Sequence, residues 1–106
     1  MNSNVQVFDT KDETESVTLT FDFTNALPAG ASLSGAPTVS IATLAGTDAT
    51  PANVLNGAPS IDATGTKVLQ PVKGGINGVL YQFVANCATT IATLSPSIIA
   101  NLPVNR

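Results

Sequence analysis

The chain contains no histidine, one cysteine and only four basic residues. Without histidine it lacks the usual general base near neutral pH, the commonest metal ligand and every Ser-His or Cys-His nucleophile pair, so catalysis is not expected. Lys11, Lys67, Lys73 and Arg106 stand against seven acids and leave a net charge of -3. That is too little positive charge for a phosphate-neutralising patch, which excludes a nucleic-acid partner. Cys87 has no second cysteine to bridge to and lies in an apolar series, where it reads as a small core residue. Redox compartment is therefore left open.

Charge of either sign is also scarce. Charged residues make up 10% of the chain against about 25% in ordinary soluble domains, and mean hydropathy is +0.28. The exterior must then be mostly Thr, Ser, Asn, Ala and Gly. Such a surface is cheap to desolvate, which predicts that copies of the chain or other proteins cover part of it. The competing reading is a monomer with a neutral, Thr-rich skin. No apolar run approaches the roughly 20 residues of a membrane span, and Met1-Asn2-Ser3-Asn4-Val5 lacks the basic start and apolar run of a secretory signal, so neither membrane nor export is expected. Residues 1–106 are read as one domain, large enough for one core that needs no cofactor, metal or disulfide.

What the chain does have is period-two alternation. After the turn Gly74-Gly75-Ile76-Asn77-Gly78, the residues Val79, Tyr81, Phe83, Ala85 and Cys87 recur every second position, the mark of a strand with one buried face. Ser16 to Thr24 alternates as cleanly, with Val17, Leu19, Phe21 and Phe23 on one face, and should meet Tyr81 and Phe83 across the core. Val5 and Val7 give a short first strand, followed by an exposed corner at Asp9 to Glu15. Asn25 to Pro37 is a loop with Leu27 and Leu33 folded inward, and Thr38 to Leu44 is a strand with Val39 and Ile41 on one face. Val54 to Ile61 and Lys67 to Val72 are placed at sheet edges, because proline withholds a donor and lysine discourages pairing.

The last segment is ambiguous. Val84, Cys87, Ile91, Leu94, Ile98 and Leu102 fit one side of a helix, whereas Leu94, Pro96, Ile98, Ala100, Leu102 and Val104 alternate strictly. Pro96 and three threonines favour the strand, which would close a hairpin through Ala88 to Thr93, with Pro96 and Pro103 at an edge or bulge. About seven short strands with no secure helix predict an all-β, immunoglobulin-like antiparallel β-sandwich. Within that frame Tyr81 takes the corner position, ring inward and hydroxyl bonded to backbone.

No catalytic, cofactor-binding or metal site emerges. Asp9, Asp12, Glu13 and Glu15 could offer oxygen ligands to calcium, but their spacing is not that of a calcium loop and Lys11 lies among them, so they read as a solvated corner. Asp22, Asp48 and Asp62 are the isolated carboxylates that a glycosidase pair would need, and nothing in the sequence brings them together. The glycine-rich turn at 74–78 lacks the Lys-Ser/Thr and the helix of a phosphate loop.

The order Lys11-Asp12-x-x-Glu15, Thr20-Phe21-Asp22-Phe23, Gly74-Gly75-x-x-Gly78-x-x-Tyr81 and Leu102-Pro103-Val104 resembles a family of small immunoglobulin-like structural proteins of tailed bacteriophages. The resemblance implies a non-enzymatic virion component, on capsid, neck, tail or fibre, present in many copies and assembled in the bacterial cytoplasm. Its partners would be other virion proteins and copies of itself. The alternative from another class is a free immunoglobulin-like binding module that takes a carbohydrate or cell-surface ligand on the loops at one end.

Overall fold

Strand β7 (Leu80–Asn86) occupies the middle of the larger of two sheets, antiparallel to β8 (Ser97–Asn105) on one side and to β4 (Thr38–Ala45) on the other. This computed structural model describes residues 5–8, 11–91 and 93–105. The smaller sheet has the order β3 (Ser16–Asp22), β6 (Lys67–Lys73), β5 (Ser60–Ile61), all antiparallel. Two short segments, β1 (Val5–Val7) and β2 (Lys11–Asp12), run end to end along the outer edge of β8. Counted as one position, they complete a sandwich of four and three strands, the immunoglobulin-like arrangement that the alternation predicts. The regular helical elements among the described residues are two short 3₁₀ turns, Thr24–Ala26 and Pro51–Val54.

Alternation translates directly into layers. Tyr81, Phe83 and Ala85 of β7 and Ile98, Ala100, Leu102 and Val104 of β8 are buried, and Val79 and Cys87 extend the buried face beyond the ends of β7. Facing them are Leu19 and Phe21 of β3 and Val68 and Val72 of β6. Phe21 meets Phe83 with ring centroids 6.2 Å apart and takes Phe8 edge-on at 5.4 Å. Both separations lie in the range where the ring quadrupoles attract. Leu33 is buried and Leu27 half-buried, as the inward-folded loop requires.

The tail of the chain is a strand, not a helix, and Pro103 explains a detail of the edge beside it. Val104 donates to the Val79 carbonyl, so the next residue back turns its nitrogen toward the opposite edge, where proline has no hydrogen to give. There the pairing Val7↔Asn101 gives way to Lys11↔Val104, a register change of one residue between β1 and β2. Both segments run parallel to β8. Parallel pairing is set by where the chain enters the fold, so side-chain alternation in β1 and β2 could not reveal it.

Two expectations fail. Lys67 to Val72 does not lie at an edge: β6 is the middle strand of its sheet, paired along its whole length with β3. Pro71 is tolerated because its nitrogen faces away from β3, on the side where its carbonyl accepts from Asn56 N–H at 2.9 Å. Next to it the buried Gln70 amide donates to the carbonyls of Gly57 (3.0 Å) and Pro71 (2.7 Å), which ties the irregular segment before β5 to β6. The corner after β1 is not wholly exposed either, because Lys11 is only 2% accessible. Its ammonium bonds the carbonyls of Asp12 and Gly74, both at 2.7 Å, so two main-chain acceptors replace water.

Phe21 sits between Phe8 and Phe83 with no exposed surface. Phe21→Ala should lower unfolding free energy by about 3 to 5 kcal/mol, measured by urea denaturation, and a loss below about 1 kcal/mol would take this ring out of the core.

Candidate functional site

A concavity lies at the end of the sandwich where β7 begins. It is a shallow cleft of about 290 Å³ lined by Asp48, Thr50, Asn53 and Val54 on one side and Lys73, Gly74, Gly75 and Ile76 on the other. The first wall belongs to the connection that leaves β4, the second to the turn joining β6 to β7. Gly75 stands at φ 97°, and a Cβ there would lie 3.0 Å from Val104 Cγ2 and 3.5 Å from the Tyr81 ring, so the turn passes too close to the core for a side chain. This is the tight glycine turn expected from the sequence.

Tyr81 joins the two walls. Its ring is buried, and its hydroxyl donates to Asp48 Oδ2 at 2.6 Å and accepts from Ile76 N–H at 3.0 Å. The other carboxylate oxygen of Asp48 accepts from Thr50 N–H at 2.9 Å. Burial and the neighbouring carboxylate push the Tyr81 phenol up to about 12, while the hydrogen bond from Tyr81 holds Asp48 below the ordinary carboxylate range. At neutral pH the phenol is therefore neutral and Asp48 ionised. Neither is poised to move a proton, and together they clamp two connections at the end of the sandwich.

The remaining acids are equally committed. Asp12 Oδ1 accepts from Thr14 N–H (2.7 Å) and hydroxyl (2.6 Å), and Glu15 Oε1 accepts from Asp12 N–H at 2.8 Å. These are local turn bonds; Asp9, the other member of that group, lies outside the described residues. Lys11 occupies the middle of the cluster, its pKa lowered by burial against the opposing pull of Glu15 and Asp12. Among the described residues no three acidic, cysteine or histidine side chains converge on a metal position.

Asp22 and Asp62 are brought near one another at the opposite end, flanking the start of β6. Asp22 accepts from the Thr24 hydroxyl (2.6 Å) and N–H (2.9 Å), and Asp62 from the Thr64 hydroxyl (2.7 Å) and the Thr66 and Lys67 amides. Hydrogen bonds led by those of Thr24 and Thr64 lower both pKa values. A glycosidase pair needs one acid raised toward neutrality, and all three isolated carboxylates are shifted the other way.

At that same end the long connections after β3 and β7 are tied together through Leu33 and Thr89. Ser34 N–H bonds the Ala88 carbonyl and Thr90 N–H the Ser32 carbonyl, both at 2.9 Å. The Thr89 hydroxyl accepts from Ile91 N–H and donates to the Leu94 carbonyl, so a threonine that argues against helix secures the loop. Cys87 is buried beneath, 3.6 Å from the Ser34 carbonyl, and burial pushes its thiol up, away from the reactive thiolate. No aromatic ring is presented here: Phe21, Phe23, Tyr81 and Phe83 are buried, and Phe8 packs against the core. The sequence signalled the inward Tyr81, but not its acceptor, since nothing local marks Asp48 as a neighbour.

The chain matches no protein-family model, no curated protein and no solved structure.

Because Asp48 is more acidic in the folded state, its bond with Tyr81 stabilises the fold above the unfolded carboxylate pKa, and that contribution disappears as pH falls through the depressed folded value. Tyr81→Phe should therefore be less stable than the parent near neutral pH, by about 1 to 2 kcal/mol. The gap should narrow as Asp48 protonates, as read from thermal unfolding between neutral and strongly acidic pH. A gap independent of pH would show that the carboxylate takes no part.

Proposed function

We propose that this chain is a non-enzymatic structural subunit of a bacteriophage virion that acts by packing against copies of itself and other virion proteins. The carrying observation is the contrast between the two outer faces. The outward positions of β4, β7 and β8 bring together Ser40, Val84 and Ile99 in one row and Ala42, Gln82 and Asn101 in the next. No Asp, Glu, Lys or Arg occurs from Phe23 to Thr47 or from Gly74 to Asn105, so the part of this face formed by β4, β7 and β8 carries no charge, and Asp12, opposite Asn105 in β2, stands at its far border. The outer face of the other sheet bears Asp22, Lys67 and Lys73.

A neutral face loses little on leaving water, and it suits permanent contact better than a face of solvated charges. Asn101 adds to this reading, because its buried Oδ1 has no hydrogen-bond partner among the described residues, next to Gln82 in the same row. The clamp at Tyr81 and the tied loops supply the rigidity of a building block. The resemblance to phage structural proteins narrows the assembly to a virion. A carbohydrate-binding module would favour an exposed aromatic platform, and the rings of this chain are committed to its core.

Virions assembled in cells that express the chain should retain it through density-gradient purification and through a wash at about 1 M salt, since contacts without charge are not screened. Recovery of the chain in the free fraction with none on the particles would overturn the proposal.

A further inference from the structure

One edge of the larger sheet is β4, which has the 3₁₀ turn Pro51–Val54 near it. The alternation of hydrogen bonds fixes which groups face outward there. Val104 exchanges bonds with Val79 and Gly78, which turns the even-numbered backbone groups of β8 toward β7. The pairs Tyr81↔Leu102, Phe83↔Ala100 and Ala85↔Ile98 then turn the odd-numbered groups of β7 toward β8. Its even-numbered groups face β4, where they meet Ser40 and Ala42 through Val84 and Gln82. The N–H and C=O groups of Val39, Ile41 and Thr43 consequently point away from the sheet. Among the described residues no backbone hydrogen bond other than the ladder with β7 reaches them.

Exposed sheet edges recruit foreign strands unless something blunts them. The other edges here are blunted. β1 and β2 are broken by a register change and carry Lys11 and Asp12, β5 is two residues long, and β3 is bracketed by Glu15 and Asp22. β4 is eight residues long, Thr38-Val39-Ser40-Ile41-Ala42-Thr43-Leu44-Ala45, with neither charge nor proline, and its one irregularity falls at the last step, between Thr43 and Ala45. Its inward side chains also differ from those of its neighbours. Val39, Ile41 and Thr43 are half-buried, whereas every inward residue of β7 and of β8 from Ile98 to Val104 is buried.

We infer that β4 is the joint through which two copies of this chain pair, antiparallel and centred on Ile41, an inference that rests on the packing role proposed above and names the surface that performs it. Unsatisfied backbone donors and acceptors specify an extended strand as the occupant. The sequence of β4 specifies a second β4. Centring on Ile41 sets Ile41 against Ile41, Val39 against Thr43, and Ser40 against Ala42. The first two pairings join residues whose backbone groups face outward, as a hydrogen-bonded pair requires. They bring β-branched side chains together on the core side, and they place no like charges opposite one another. Two four-stranded sheets become one of eight, and the neutral outer faces become one surface. A two-fold contact of this kind is self-complementary and closes at the dimer.

Ser40 and Ala42 are exposed on the outer face, so changes there leave the core untouched. The parent chain should run in light scattering at twice its 10.7 kDa. Ser40→Lys together with Ala42→Lys should weaken dimerisation by at least roughly 100-fold, because lysines then face one another across the joint. Circular dichroism and thermal unfolding should show the same folded chain. Mixing that variant with the Ser40→Glu, Ala42→Glu variant should restore a dimer containing one of each, seen by native mass spectrometry. A dimer indifferent to the lysines places the joint elsewhere and overturns the inference, although the packing role stands. A parent chain monomeric at every concentration also overturns it and leaves this edge to a strand of another protein. Loss of the packing role itself is read separately, from absence of the chain on purified virions.

Discussion

The central constraint is that β7 has a strand on each edge and a sheet against one face. A strand so placed must send every second side chain into the core and every second one outward, and any one-residue slip would exchange the two sets. Val79, Tyr81, Phe83, Ala85 and Cys87 meet that requirement with at most 4% exposure. The rest of the fold is arranged to hold them there. β8 and β4 fix the register on either edge, and Phe21, Val68 and Val72 close the layer from across the sandwich.

The ends of β7 are secured by different chemistry. At the start, Tyr81 turns its hydroxyl toward Asp48 and the Ile76 amide, and Lys11 binds the Gly74 carbonyl, so the connection from β6 is held from two sides. At the finish, Thr89 and the Ser32–Ser34 backbone bind the connection to β8. Almost every polar side chain in these places is satisfied within the chain itself. That is the pattern of groups that hold structure, and the contacts proposed for the chain fall instead on the uncharged positions of β4, β7 and β8 and on the β4 edge.

Much of the sandwich was legible because burial on one face of a strand imposes a period of two, and the runs at Val17 to Phe23, Val79 to Cys87 and Ile98 to Val104 carry that period without interruption. Other features depended on partners that sequence does not record. Pro71 argued for an edge position, yet the structure accommodates it in a middle strand by aiming its nitrogen past the end of β5 and letting Gln70 supply donors. Lys11 looked solvated because lysine usually is; its burial depends on two carbonyls, one of them 63 residues away. The Asp48 partner of Tyr81 is 33 residues distant and equally invisible locally. Of the site, the inward tyrosine and the glycine turn could be foreseen, and the clamp they form could not.

Native-state amide hydrogen exchange tests most directly whether the fold depends on β7. The amides of Tyr81, Phe83 and Ala85, bonded to β8 in the interior of the larger sheet, should exchange only through global unfolding, with the slowest rates in the chain. If instead they exchange well ahead of the β3–β6 pair, the smaller sheet is the organising element and β7 is not.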